Sequence, residues 1–159
     1  MISTADLYDA YPELVRVCET QFRSYGGLTS FCGPCATLAT FEDHTPVLQA
    51  LETPGLGRIL VVDGQGSLRI GLMGDRLAGI AVQNGWRGVI LNGAIRDTSG
   101  INAMALGVKA LGVTARKGWQ ATSGTPGLPV HFGGVTFSPG NWIYADVDCV
   151  VISSTKLRE

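Results

Sequence analysis

No run in this chain approaches the roughly twenty apolar residues that a membrane-crossing helix needs, and its first residues lack the basic-then-apolar layout of a secretory signal. Neither a membrane span nor a leader is expected. A cytosolic protein is the expectation, in which Cys18, Cys32, Cys35 and Cys149 stay reduced. An excess of one charge is also missing, since 12 Lys and Arg stand against 13 Asp and Glu, for a formal net charge of −1. That balance leaves no basic face for RNA or DNA, so direct nucleic-acid contact is not expected. Histidine is scarce: His44 and His131 are isolated, and neither pairs with a cysteine at zinc-ligand spacing. Nothing in the sequence singles out either as a base. No linker or internal repeat divides the 159 residues, which read as one domain over 1–159, large enough to bury a core without disulfides.

What is abundant is glycine, at 22 residues, and short apolar runs between turns. Ser3 or Thr4 can cap a first helix with Leu7, Ala10, Tyr11 and Leu14 on one face, broken into two pieces at Pro12. Residues 30–41 mix aromatic, small and β-branched side chains in a strand-like run. Thr45-Pro46 opens a helix whose apolar side is Val47, Leu48 and Leu51. Residues 58–63 suit a strand buried on both faces. Later, 98–104 reads as a short helical turn, 108–113 as a strand, 116–129 as a polar surface loop, 130–137 as a hairpin and 143–152 as a strand. Strands dominate and helices come singly, which predicts a layered α/β domain with a mixed sheet.

The stretch from Gly74 to Asp97 carries the chemistry. Gly74-Asp75 opens a helical pattern at Leu77, Ile80 and Ala81, which stops at the cap pair Asn84-Gly85. Val89-Ile90-Leu91 then reads as a buried strand, ending at Asn92-Gly93 before Arg96-Asp97. A helix N-terminus offers backbone N–H groups to an anion, so the start at Gly74, Asp75, Arg76 and Leu77 is a candidate carboxylate site. Arg96 adds a planar fork for a carboxylate or enolate, and Asp97 a hard oxygen ligand for Mg²⁺ or Mn²⁺. Consecutive strand residues face opposite ways, so Arg96 and Asp97 can share a site only where the backbone has left the strand.

Asp75, twenty residues and Arg96-Asp97 form a D-x20-R-D spacing, and with it the chain resembles the family of ribonuclease E activity regulator A and 4-hydroxy-4-methyl-2-oxoglutarate aldolases (RraA-like). Segments 21–27, 41–43, 61–67, 133–139 and 144–148 are similar to that family too, so the resemblance covers nearly the whole chain. It implies a swivelling β/β/α fold, a homotrimer, and a metal-dependent aldolase that releases pyruvate and also decarboxylates oxaloacetate. In that reading Asp97 holds the metal, Arg96 neutralises the enolate and Asp75 orients water. A second reading is a protein that restrains ribonuclease E by contact. Three positions depart from the family pattern: Gly100 stands where many aldolases carry an acidic residue, His44 where asparagine is expected and Cys149 where glycine is expected.

Two motifs invite other functions. Cys32-Gly-Pro-Cys35 matches a redox motif, but the residues after it are strand-like where a thioredoxin site needs a helix, so buried structural cysteines are expected. Asp63-Gly-Gln-Gly-Ser67 resembles the acidic glycine loop of methyltransferases that bind S-adenosylmethionine. It lacks a following helix, since Leu68-Arg69-Ile70 alternates like a strand, and a turn after a strand is the expected role. Asp146 and Asp148 are expected to be structural.

Overall fold

In the computed structural model, which describes residues 3–118 and 124–158, helix α1 (Thr4–Ala10) leads into the short strands β1 (Arg16–Cys18) and β2 (Arg23–Tyr25). Strand β3 (Phe31–Ala39), helix α2 (Thr45–Leu51), strand β4 (Ile59–Asp63), helix α3 (Asp75–Gln83) and strand β5 (Gly88–Ile95) come next. Helix α4 (Thr98–Asn102) and strand β6 (Gly107–Val113) then precede β7 (Thr125–Pro126), β8 (Val130–Phe132), β9 (Val135–Phe137), β10 (Trp142–Ala145) and β11 (Val150–Ser153). The sheet order is β1-β11-β10-β3-β4-β5-β6-β2, with β7 added on β3, and β8-β9 stand apart as a hairpin.

Strand β3 joins two kinds of pairing. Its first half, Phe31 to Pro34, pairs antiparallel with β10, and its second half, Cys35 to Ala39, pairs parallel with β4. From there β4, β5 and β6 continue in parallel. Buried strands of this kind alternate between two apolar faces. Leu60, Val62, Val89 and Leu91 face α2 and α3, whereas Ile59, Val61 and Ile90 face a second β layer built from β8, β9, β10 and β11. Three layers result, helices over sheet over sheet, which agrees with the layered α/β expectation.

The same alternation sends Lys109 of β6 away from the helices. It is 2% exposed, and its Nζ donates to Ser24 Oγ at 2.6 Å and to the Asp146 carbonyl. Burial holds its pKa below the ordinary lysine value, partly offset by the Asp146 carboxylate. Asp146 in turn accepts from Thr4 N, Thr4 Oγ1, Asp148 N and Cys149 N, which ties α1 to the β10–β11 turn. Burial alone would raise its pKa, and those hydrogen bonds outweigh it and hold the carboxyl below its usual range. Asp146 is thus structural, as the sequence suggested.

Several boundaries differ from expectation. Pro12 ends α1 outright: 12–14 form a turn in which Leu14 and Val15 donate to the Tyr11 carbonyl, and Leu14 is exposed. The strand expected over 143–152 is two strands, because the Asp146 side chain binds the next backbone N–H groups and reverses the chain. Residues 68–70 form no strand; Leu68 is exposed and only Gly71 bridges to neighbours. The loop expected over 116–129 includes β7, which pairs with β3, while its residues 119–123 lie outside the described residues.

The C-G-P-C segment lies within β3. Cys35 is buried among the second-layer side chains, and Cys32 packs on the other side with the cluster under α1. Residues three apart on a strand point to opposite faces, so these two thiols are not placed to close a disulfide. Burial pushes the Cys35 thiol up to about 12, the reverse of an activated cysteine.

Phe31 locks β5 to β6. A Cβ at Gly107 would lie 2.1 Å from the Phe31 ring and one at Gly88 2.6 Å from it, so only glycine lets the ring fill this space. Gly107→Ala should therefore cost about 1–3 kcal/mol by overpacking. Urea denaturation of a double-mutant cycle with Phe31→Leu checks this: the pair should be less destabilised than the sum of the singles, and simple additivity would contradict the packing account.

Candidate active site

Two cavities compete for attention. The larger, about 490 Å³, lies between β3, α2 and the 124–127 and 139–140 segments, and its wall is mostly apolar. Among the described residues its lining has no carboxylate or histidine, and Arg58, the one charged residue there, packs over the Trp86 ring at 4.8 Å. The smaller, about 130 Å³, is lined by His44, Gly71, Met73, Gly74, Asp75, Arg76, Leu77, Arg96, Asp97 and Lys117. Chemistry favours the smaller one, since reacting groups need charge partners and proton carriers more than volume.

The site is built at the end of β5. That strand runs on through Asn92-Gly93 to Ile95, past the end expected at Leu91, and its pairing with β6 shifts register between Leu91 and Ala94. Arg96 N then donates to the Met73 carbonyl at 3.0 Å, which draws 71–74 alongside the strand end. At Asp97 the backbone turns left-handed, with φ 60° and ψ 44°. This is the departure from the strand that lets neighbouring side chains share one cavity. Asp tolerates that conformation better than most residues, at a cost on the order of 1 kcal/mol.

Asp97 stands at the N-cap position of α4 but makes no side-chain cap bond there. Its carboxylate turns instead to Gly74, where any Cβ would lie 2.6 Å from Asp97 Oδ2. Gly74 is the N-cap of α3, again with no side-chain cap, and the first bond into the helix is Ala78 N to Gly74 O at 3.0 Å. The N–H groups of Asp75, Arg76 and Leu77 precede it, at the positive end of the helix dipole. Arg96 Nε lies 3.8 Å from Asp97 Oδ2, and its Nη1 donates to Ala115 O at 3.3 Å. Both side chains remain partly exposed, at 35% and 45%.

All six sequence candidates, Gly74, Asp75, Arg76, Leu77, Arg96 and Asp97, thus line a single cavity. Asp75 is exposed there, and a Cβ at Gly100 would come within 2.8 Å of its Oδ2. Gly100 thereby leaves room for the Asp75 carboxylate. Four lining residues, His44, Gly71, Met73 and Lys117, escaped the sequence reading, and two of them carry polar side chains. Lys117 arrives because Gly71 bridges to both Ala94 and Lys117. His44 arrives because the Phe41-Glu42-Asp43 turn is fastened down: Thr40 Oγ1 donates to Asp43 O, Thr45 N to Asp43 Oδ1, and Ser67 Oγ to Glu42 Oε1. The D-x20-R-D spacing carries no signal for either.

A divalent ion is compatible with the donors present. Among the described residues no three His, Cys, Asp or Glu converge, which leaves no all-protein cage. One carboxylate with a second nearby and room for water is the donor set that Mg²⁺ accepts. The uncapped carboxylate of Asp97, in a site that lacks a Cβ at Gly74, fits that requirement.

The Asp63 loop is a turn after a strand, as expected. Asp63 Oδ1 accepts from Gln65 N at 2.9 Å and Asn92 Nδ2 at 3.0 Å, so the carboxylate closes its own turn and ties β4 to β5.

Comparison with known proteins shows which family the chain and its fold belong to. A chain from Aromatoleum aromaticum, provisionally named 4-hydroxy-4-methyl-2-oxoglutarate aldolase, is 51% identical over 154 residues, covering 97% of each protein. A crystal structure from Geobacillus kaustophilus, described as an S-adenosylmethionine: 2-dimethylmenaquinone methyltransferase, superposes with a TM-score of 0.95 at 47% identity, covering 98% of this chain and 97% of that one. The Thermus structure described as the RNA-processing inhibitor RraA superposes with a TM-score of 0.94 at 37% identity, covering 99% and 96%. The RraA-like family pattern, described as Aldolase/RraA, matches residues 4–152, and this chain belongs to that family.

Proposed function

We propose that this protein is a divalent-metal-dependent aldolase that cleaves 4-hydroxy-4-methyl-2-oxoglutarate, or a related 4-hydroxy-2-oxo acid, to pyruvate and a second oxo acid. Oxaloacetate decarboxylation belongs to the same proposal, because both reactions pass through pyruvate enolate. The observation that carries the reading is the meeting of Asp97, Arg96 and the uncapped start of α3 in one cavity. The names of the relatives support the aldolase class.

The N–H groups at Asp75, Arg76 and Leu77 receive the substrate's 1-carboxylate at the positive end of α3. Arg96 places its guanidinium where the 2-oxo oxygen gains negative charge, stabilising the enolate more than the ketone. Asp75, through a water, takes the proton of the 4-hydroxyl as the C3–C4 bond breaks and its electron pair passes into the enolate. A proton returned to C3 then gives pyruvate, so the proton count is unchanged. In oxaloacetate the same bond breaks with loss of CO₂, and only the final protonation is needed. Mg²⁺ or Mn²⁺, held by Asp97 and otherwise by water, supplies Lewis-acid polarisation of the 2-oxo group when bound.

A second reading, restraint of ribonuclease E by protein contact, is supported by the description of the Thermus relative as an RNA-processing inhibitor. It needs a surface rather than a cavity and does not compete with the first. The methyltransferase description belongs to the Geobacillus relative; in this chain the Asp63 loop is a turn closed through Asp63 Oδ1.

Assembly as a homotrimer is part of the proposal. Ile143 is buried and Trp142 is half-covered beneath Lys156, so neither supplies apolar surface for association. Among the exposed apolar residues, Val113 lies beside Arg96 and Asp97 in an open groove, and Phe41 and Leu68 flank the glycine loop. Apolar surface of this kind near a site favours closed association that completes the site from a second copy.

Two measurements test this reading. Pyruvate release from 4-hydroxy-4-methyl-2-oxoglutarate and from oxaloacetate should stop in excess chelator and return with Mg²⁺ or Mn²⁺. Asp97→Ala should stay folded and lose at least about a hundredfold in kcat, the scale of removing an electrostatic anchor. Full activity in chelator would sink the reading. Sedimentation should give about three chains per particle, the closed cyclic state that the family resemblance implies, and dilution to monomer should cost activity; a fully active monomer would refute the shared boundary.

A further inference from the structure

The larger cavity, set aside above for want of reacting groups, has a construction of its own. Helix α2 buries Val47 and Leu51 in the core beneath it. Its other side, with Pro46, Gln49, Ala50 and Thr53 at helical spacing, faces the cavity instead. The wall opposite α2 comes from the 124–127 and 139–140 segments rather than from another helix, and Ala36, Leu38 and Leu60 contribute from β3 and β4. At about 490 Å³ the space falls within the range of about 300–1,000 Å³ usual for small-molecule sites.

The two ends of the cavity differ. At one end a Cβ at Gly124 would lie 2.4 Å from Pro46 Cβ, so the chain closes against the start of α2. At the other, Trp86 Nε1 donates to the Thr53 carbonyl at 3.1 Å, which joins Thr53, Trp86 and the neighbouring Arg58. Pro46 and Thr53 are seven residues apart, on the order of 10 Å at the helical rise, so the space is a trough along α2.

Charge is confined to the second end. Arg58 Nε donates to Gly55 O at 3.0 Å and Nη2 to Pro54 O at 2.8 Å, and the guanidinium lies over the Trp86 ring. Those contacts fix the group in place, and none of them neutralises it. Among the described residues the ion pairs are Arg69 with Glu42 and Arg96 with Asp97, so no carboxylate pairs with Arg58. The Cys35 thiol in the lining is pushed up to about 12 by burial and adds no negative charge at neutral pH. A fixed guanidinium with spare N–H groups at the end of an apolar trough suits one carboxylate. A second carboxylate, farther along the trough, would be desolvated without a partner.

We propose that this trough is a binding site for an apolar monocarboxylate of medium chain length, with its carboxylate on Arg58 and its chain lying along α2 over Ala36, Leu38 and Leu60. The site shares no lining residue with the candidate active site and does not rest on the aldolase reading.

Calorimetry on the full chain tests it with three probes kept below their aggregation limits: decanoate, decanol, which lacks the charge, and butanoate, which lacks the chain. Decanoate should bind once per chain and about tenfold more tightly than decanol, the scale of a hydrogen bond to a charged group. Butanoate should be weaker than decanoate by at least about a hundredfold, since six buried methylenes are missing. Arg58→Gln should erase the preference for the acid over the alcohol, and Arg58→Lys should retain it. Ala50→Phe, which fills the trough from the α2 side, should weaken decanoate and decanol alike by at least about tenfold through overpacking. Thermal melts establish that each variant is folded. Equal binding of acid and alcohol to the wild-type chain, no binding of decanoate, or uptake of several decanoates per chain that Ala50→Phe leaves unchanged would each overturn the site. A folded Arg58→Gln variant that still prefers the acid would overturn the placement of the carboxylate.

Discussion

The left-handed turn at Asp97 is the constraint on which the candidate site depends. Were the chain to continue as a strand, Arg96 and Asp97 would point to opposite faces of the sheet, and a single cavity could not use both. With φ at 60°, the carboxylate instead swings beside the start of α3, at the one place where Gly74 leaves room for it. The positive end of that helix and the Arg96 guanidinium both favour the carboxylate there, which offsets a backbone cost on the order of 1 kcal/mol. Strain retained at a site, with the surrounding contacts holding it in place, is the pattern expected of a working centre.

The fold supplies that turn with its neighbours. Parallel strands β4, β5 and β6 end on the same side, so the segments leaving them gather at one edge. The 71–74 segment is held to the end of β5 by Leu72 N to Ala94 O and by Arg96 N to Met73 O, and to the next segment by Gly71 N to Arg116 O. Three backbone segments therefore lie side by side across the cavity floor, and a fourth, the 42–44 turn, closes its far wall. The glycines at 71 and 74 are places where a side chain would fill the space that Arg96 and Asp97 occupy. On this floor, side chains from four distant parts of the sequence meet beside the end of the parallel strands.

Much of this was legible in the sequence, and for physical reasons. Helix α3 declares itself by the 3.6-residue spacing of Leu77, Ile80 and Ala81 and by the Asn84-Gly85 stop, and β4 and β5 by apolar runs too short for helices. The D-x20-R-D spacing spans one helix and one strand, a local unit, so its members could be read together. His44 and Lys117 could not be, since they join the site only through the pairing of Gly71 with Ala94 and Lys117 and the packing of Gly118 on the 42–44 turn. Lys109 was invisible in the same way: its burial depends on Asp146 and Ser24 arriving from two other strands' surroundings. The reversal at Asp146 was missed because the side chain of one Asp, bonded to its own backbone two and three residues on, decides between a long strand and a hairpin.

The proposed function rests on one chemical property, stabilisation of pyruvate enolate in this cavity. Proton exchange tests it without requiring the physiological substrate. Pyruvate incubated in D₂O with the Mg²⁺-loaded protein should lose its methyl signal in the proton NMR spectrum faster than in buffer alone, as enolate forms and takes deuterium at C3. Arg96→Ala should remove that acceleration while remaining folded. Exchange at the buffer rate in the wild-type protein would contradict the enolate mechanism directly.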